Sequence, residues 1–264
     1  MSDLFGIDVS HHNGVIDWKK VKEGGANFAI LKCMYEAQSH RKDEQFETNY
    51  LGCINHDIEV GVYIFIASAS IADPVADAEA LIKHLGGRSL PYGIWLDFEA
   101  QVLRNQGGKK ISELAYLYAE KFKAAGYNVG IYCNVDWYNN VILADLKKDF
   151  YFWIARYPKA DDGLYHQTSK LKPTMQSCVA WQYSSKGHVP GIKTNVDMDV
   201  DFYGNTKGFI QSQTLKHKTN EEIAQEVWDN KWGTSKTKPT RKELLTRAGY
   251  DYDAIQKIVT SMKR

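Results

Sequence analysis

A chain of 264 residues is long enough for a barrel of about 200 residues with a small appendage. Its formal net charge of +1 gives no global reason to expect nucleic acid as a partner. No uninterrupted apolar run approaches ~18 residues, so no membrane span is expected.

Met1-Ser2-Asp3 runs straight into an apolar segment, residues 4–9, with no basic stretch and apolar stretch ahead of it. The expectation is a protein made in the cytoplasm without a signal peptide. That first predicted strand carries Asp8 near its end, and residues 10–14 (Ser-His-His-Asn-Gly) read as a loop. A helix is predicted over 16–22, a buried strand over 28–33, and a helix over 43–54 with Phe46, Tyr50, Leu51 and Ile54 on one face. The third strand, 59–65, carries Tyr63. Asp73-Pro74 opens the next helix, 75–85, as N-cap and first residue.

The fourth strand, 93–99, delivers Asp97 and Glu99 at its end. Residues two apart in a strand share a face, so these carboxylates leave the backbone together, ~6.6 Å apart. Two readings are open for the segment alone: an acid–base pair across a bond being broken, or acids where a strand runs into solvent. The rest of the chain bears on the choice. A strongly amphipathic helix spans 111–125 and Gly126 ends it. Strands follow at 129–133, 151–155, 177–183 and 195–202, carrying Tyr132, Trp153, Trp181 with Tyr183, and Asp197 with Asp199 and Asp201.

Strands alternating with helices through the first half are the pattern of parallel βαβ units. Eight strands in about 200 residues predict an α/β fold, a closed TIM-like barrel with fewer helices late in the chain. In such barrels the C-terminal strand ends build the active site. Asp8, Asp97, Glu99 and Asp197 then converge on one rim with Tyr63, Tyr132, Trp153, Tyr183 and Asp199, the candidates for substrate binding. The aromatics, 16 Tyr and 7 Trp among them, fit either ordinary packing or a cleft that stacks on sugar rings. The four cysteines, at 33, 53, 133 and 178, have no CxxC spacing. They read as free thiols, which suits a reducing compartment. His11 and His12 stand beside the acids, but adjacent histidines on one loop do not converge on one ion, so neither a metal nor another cofactor is expected.

The residues also carry a resemblance. Gly6-Ile7-Asp8-Val9-Ser10, Gly61-Val62-Tyr63-Ile64-Phe65, Leu96-Asp97-Phe98-Glu99, Trp181-Gln182-Tyr183 and Val196-Asp197-Met198-Asp199 occur in the order found in glycoside hydrolase family 25 lysozymes of the phage endolysin type. The likeness covers residues 3–205. It implies a flattened barrel that acts as a muramidase on bacterial peptidoglycan, cutting the β-1,4 bond between N-acetylmuramic acid and N-acetylglucosamine. It places the general acid at Glu99 and further active-site acids at Asp97, Asp8 and Asp197. Where most relatives have Gln, this chain has His12-Asn13, which leaves the role of that loop open. Nearby Asp97 and Asp8, with partial burial, are expected to raise the acidity range of Glu99. The stereochemistry stays open between inversion, a carboxylate nucleophile, and attack by the substrate's own N-acetyl oxygen with Asp97 orienting it; the resemblance leans to the last.

Residues 206–218 read as a polar linker, and 219–264 as a small three-helix domain. Thr219 to Glu222 and Thr240 to Glu243 are capping boxes, and Gly249 closes the second helix. Lys231-Trp232-Gly233, Arg241, Leu245-Thr246, Ala248 to Tyr252 and Ile255-Gln256 resemble the cell-wall-binding repeat of some phage lysozymes, here in one copy. Trp232 and Arg241 are the candidate contacts, Trp232 serving equally as core. The leading reading is therefore an endolysin that acts on a Gram-positive wall after release. A silent wall-binding protein is disfavoured by the presence of all four acids, and a secreted autolysin by the absence of a leader.

Overall fold

A computed structural model describes residues 3–34, 39–67, 74–202, 219–229, 232, 234, 240–242, 245 and 250–262. The chain forms two compact units, Met1–Gln213 and Thr214–Arg264.

In the first unit eight strands close a barrel in sequence order: β1 (Leu4–Val9), β2 (Phe28–Lys32), β3 (Glu59–Phe65), β4 (Ile94–Asp97), β5 (Val129–Asn134), β6 (Phe152–Ala155), β7 (Cys178–Gly187) and β8 (Val196–Asp201). Neighbours from β1 to β7 pair in parallel, and β8 runs antiparallel to both β7 and β1. The helices are α1 (Trp18–Glu23), α2 (Phe46–Asn55), α3 (Pro74–Leu85), α4 (Gln101–Arg104), α5 (Gly108–Ala124), α6 (Val135–Asn140) and α7 (Ala144–Asp149). No helix of the described residues joins β6 to β7 or β7 to β8, as expected for a barrel with fewer helices late in the chain.

Strand alternation divides the apolar residues into two layers. Phe28, Ile30, Tyr92, Trp95, Tyr132, Trp153 and Ala180 fill the barrel. Ile7, Leu31, Val62, Leu96, Ile131, Ile154 and Val200 face the helices. The inner layer accommodates its large rings because Gly6 and Gly130 face them: a Cβ at either position would lie 2.4 Å from Phe28 or Trp95.

The helices differ from expectation in detail. The loop after β1 contains a short 3-10 turn, His11–Asn13, capped by Ser10, whose Oγ accepts from the backbone N–H of His12. In α2 the buried residues are Phe46, Asn49, Tyr50 and Cys53, while Leu51 and Ile54 are exposed. The apolar spacing drew the face about one residue too far round. Phe46 and Tyr50 carry Arg88 against their rings instead. Pro74 opens α3 as expected; Asp73 lies outside the described residues. Helix α5 ends before Gly126, whose φ of +84° supplies the left-handed turn. All four cysteines are free and buried, and burial pushes the Cys178 thiol up to about 12. No helix of the described residues is long and apolar enough to cross a membrane.

In the second unit, α8 (Asn220–Trp228) starts with the expected capping box: Thr219 Oγ1 accepts from the Glu222 N–H, and Glu222 accepts from the Thr219 N–H. With α9 (Tyr252–Met262) it forms a core of Ile223, Ala224, Val227, Leu245, Ile255 and Val259. Ile258 is partly buried, while Met262 and Trp228 are exposed. Trp232, a candidate ligand contact, packs on this core edge-on to Tyr250 and donates its indole N–H to Glu226 Oε2 at 2.9 Å. The expected linker 206–218, Lys231, Gly233, Glu243 and Gly249 lie outside the described residues.

Candidate active site

The carboxylates gather because of one topological feature. As β8 is antiparallel to β1, Asp197 pairs with Asp8, Asp199 with Gly6 and Asp201 with Leu4. The inward-facing acids of β8 therefore descend through the barrel. Asp197 stands level with Asp8 at the mouth, Asp199 lies beneath, and Asp201 reaches the opposite end, where the Tyr92 hydroxyl donates to it at 3.1 Å. Asp97 ends β4 beside Tyr132 on β5. Glu99 follows it out onto the exposed rim.

Hydrogen bonds sort the remaining candidates. Trp153 is buried and donates its indole N–H to Asp199 Oδ1 at 2.8 Å. Asp199 is fully buried, so this pair supports the site from below instead of lining its surface. Tyr132 is buried and donates to Gln182 Oε1 at 2.7 Å. Gln182 in turn donates through Nε2 to Asp8 Oδ2 at 2.6 Å. Tyr63, half-buried on the inner face of β3, remains at the mouth near Asp8, Asp97 and Asp197, whose charges add to burial in raising its phenol. Tyr183 is corrected: it packs in the outer layer against Tyr165 and Trp181. Since Gln182 points inward, its neighbours Trp181 and Tyr183 point outward.

Several residues missed by sequence reading complete the site. Gln182 also accepts from the hydroxyl of Tyr157, an exposed ring at the mouth. The signal for Gln182 was a polar residue with the parity of the barrel interior. Buried Asp43 accepts from the His11 N–H at 3.2 Å, and its Oδ2 lies 2.6 Å from His11 Nδ1. Asp43 thereby anchors the loop after β1. The His11 ring also stacks against His12, with centroids 3.9 Å apart. Among the described residues no three His, Cys, Asp or Glu side chains are grouped to hold a metal ion. Lys32, the last residue of β2, brings a cation to Asp97 and Glu99. Nothing in a strand read as buried had marked it.

Burial raises the protonation range of all five acids at the site. For Asp97 the Glu99 charge adds to burial and Lys32 opposes both. Asp97 Oδ1 is buried without a hydrogen-bond donor among the described residues. For Glu99 the surrounding cleft is the cause, again opposed by Lys32, although the residue keeps contact with solvent. The expected push from Asp97 and Asp8 on Glu99 gives way to this desolvation; the repulsion within the pair falls on Asp97. Asp8 is raised by burial, Asp197 and Asp199, and held back by the Gln182 hydrogen bond. Asp197 rises to about 6 through burial, then Glu99 and Asp161. Such a cluster retains protons near neutrality, which supplies an acid, and keeps anions in reserve for a developing cation.

This arrangement has a cost in stability with a defined sign. The folded pKa of Asp197 is raised, so folding binds its proton more tightly than the unfolded chain does. The contribution is full below about pH 4 and is lost as pH rises through about 6. Asp197→Asn is therefore expected to stabilise the barrel at pH 7 by on the order of 1–3 kcal/mol. It should also flatten the decline in Tm between those pH values. Thermal melts of both proteins across that window check this; an unchanged or steeper decline in the variant would contradict it.

The profile of glycosyl hydrolases family 25 matches residues 7–192. That of the CW_7 repeat matches residues 221–262. The chain is similar to an autolytic lysozyme of Clostridium acetobutylicum, 28% identical over 195 residues, which cover 74% of this chain and 54% of that one. It is similar to lysozyme M1 of Streptomyces globisporus, 28% identical over 210 residues, covering 74% and 67%. It thus spans about half the length of the first and two thirds of the second. Among solved structures, a bacterial lysozyme from Streptomyces coelicolor superposes with a TM-score of 0.62 at 22% identity, over 81% of this chain and 100% of that one. The catalytic domain of endolysin ply40 from bacteriophage P40 of Listeria monocytogenes gives 0.63 at 20%, over 80% and 98%. These two likenesses are of fold.

Proposed function

The chain belongs to glycosyl hydrolases family 25, and on that premise we propose that it is an N-acetylmuramidase, cutting the β-1,4 bond between N-acetylmuramic acid and N-acetylglucosamine in bacterial peptidoglycan. The observation that carries this reading is the asymmetric acid pair. Asp97 is buried with an oxygen lacking a donor, and Glu99 stands at the open rim within reach of a polymer lying across the mouth.

Glu99, protonated through desolvation, gives its proton to the glycosidic oxygen as the bond to the sugar C1 breaks. The N-acetyl oxygen of the same sugar attacks C1, oriented by Asp97. Glu99, now a carboxylate, takes a proton from the water that opens the resulting ring. Asp8, held by Gln182, and Asp197 face the positive charge that develops at C1. Tyr63 and Tyr157 line the approach. Digesting purified peptidoglycan, reducing the products and identifying the new sugar end tests the bond assignment. Muramitol ends are expected; glucosaminitol ends would identify a glucosaminidase instead.

The second unit is assigned to wall binding, on the match of residues 221–262 to the CW_7 repeat. Arg241 remains the proposed contact, and Trp232 is assigned to the core. The biological role we favour is that of a phage endolysin made in the host cytoplasm and acting on a Gram-positive wall after release. An autolysin is the second reading, supported by the likeness to the clostridial autolytic lysozyme. Production of this chain inside a Gram-positive cell separates them. An endolysin leaves cells intact until the membrane is permeabilised, whereas an autolysin reaches the wall unaided.

A further inference from the structure

The inner face of the barrel mouth is built from acids on β1, β4 and β8, and among the described residues the Lys32 ammonium acts on those of β4 and its end. Lys32 ends β2, in register with Tyr63 of β3, while Phe65 of β3 is in register with Asp97 of β4. Ile30, two residues before Lys32, lies inside the barrel, so Lys32 points the same way. Its Nζ stands 5.9 Å from the centre of the Tyr63 ring and 5.4 Å from that of Phe65. The side chain therefore lies over β3 and extends from β2 toward β4. Adjacent strands are ~4.8 Å apart, so a lysine stem lying over one strand brings its charge toward the carboxylates of the next. The two rings guide the stem and hold the ammonium where it is partly shielded from water.

We propose that Lys32 is a positioning residue for hydrolysis that acts through Asp97 and Glu99, its ammonium opposing protonation of the buried Asp97 so that the pair's single proton is available on Glu99. The proposal rests on Glu99 being the general acid. Without a cation, the buried Asp97, whose Oδ1 has no donor among the described residues, would take up that proton itself. The proton would then sit on the residue that must be anionic.

Among the described residues, the other charged and titratable groups acted on by the pair are Asp197 on β8, Tyr63, Tyr132 and Cys133. None of these is a cation, so none substitutes for Lys32. Removing the ammonium favours the protonated form of both carboxyls. Both limbs of the pH profile should then move to higher pH: the acid limb, which needs Asp97 ionised, and the alkaline limb, which needs Glu99 protonated.

The test is kcat/KM against pH on soluble peptidoglycan fragments for the full-length wild type, Lys32→Met, Lys32→Gln and Lys32→Arg. Both neutral variants are expected to shift both limbs upward by about one pH unit. The activity lost at acid pH should then be partly retained on the alkaline side. Lys32→Arg, which keeps the charge, should retain the wild-type limbs. A uniform drop at unchanged limbs would overturn the proposal and leave Lys32 a packing residue over Tyr63 and Phe65. Melting curves identify a variant that does not fold. If Lys32→Met fails, Lys32→Gln, with its polar end, carries the same reading, and if both fail, a shift of the limbs in Lys32→Arg would count against the proposal and unshifted limbs for it. Glu99→Gln separates the two levels of inference. If it stays active, the assignment of the acid falls; if it is inactive and the Lys32 limbs do not move, only the role of Lys32 falls.

Discussion

Glu99→Gln is expected to lower hydrolysis of both walls and soluble fragments by about 10²–10⁴-fold, the usual contribution of a positioned general acid. The amide preserves the size of the side chain but has no proton to deliver to the leaving oxygen. Little packing is at stake, because Glu99 is exposed at the rim and outside both apolar layers of the barrel. Tm and wall binding should therefore remain near wild type. The loss should appear in kcat more than in KM, since the interaction removed is one made in the transition state. A further consequence follows from charge. Glu99 is one of the groups that raise Asp197, so its neutralisation should bring Asp197 back toward the ordinary carboxylate range. Activity within a few-fold of wild type would remove Glu99 from the acid role.

Truncation after Gln213 is expected to separate chemistry from wall attachment. The first unit contains every acid of the site and all eight strands, and the second has its own core around Ile223, Val227, Leu245, Ile255 and Val259. The truncated chain should fold and cleave soluble fragments at close to the full-length rate. On intact walls the substrate is an insoluble repeating polymer, and a tethered module holds the barrel near fresh bonds after each cut. Losing the tether should cost about 10²–10⁴-fold in avidity, most visibly at low enzyme concentration. Arg241→Ala should reproduce part of that loss if its guanidinium pairs with a carboxylate of the wall. Equal losses on walls and soluble fragments would make the second unit a brace for the barrel and end the binding assignment.

The number of strands and their place along the chain were legible because period-two alternation and apolar runs are local properties of the chain. So were Asp8 and Asp97, each at or near the end of an apolar run, whereas Asp197 opens β8 and reaches the same mouth only because that strand runs antiparallel. The direction of β8 was only half legible. Strand β7 continues through Ser184-Ser185-Lys186 to Gly187, leaving eight residues, 188–195, before β8. That is too short for a parallel crossover and enough for a hairpin. The polar end of β7 concealed how short the connection is.

Other features depended on which strands become neighbours. Helix α2 buries Asn49 and Cys53 in preference to Leu51 and Ile54 because contacts with the sheet choose among nearly equivalent faces. Tyr183 and Gln182 exchange the roles their chemistry suggests, since parity along β7 turns the glutamine inward and the tyrosine out. Lys32 and Asp43 sit in or beside segments that read as ordinary strand and helix, and acquire meaning from β4 and from the loop after β1. Local pattern along the chain called for a barrel with acids on its strands. Tertiary structure alone decided which of those acids share one desolvated mouth, because carboxylate coupling depends on distance through space, and β1, β4 and β8 meet only when the sheet closes.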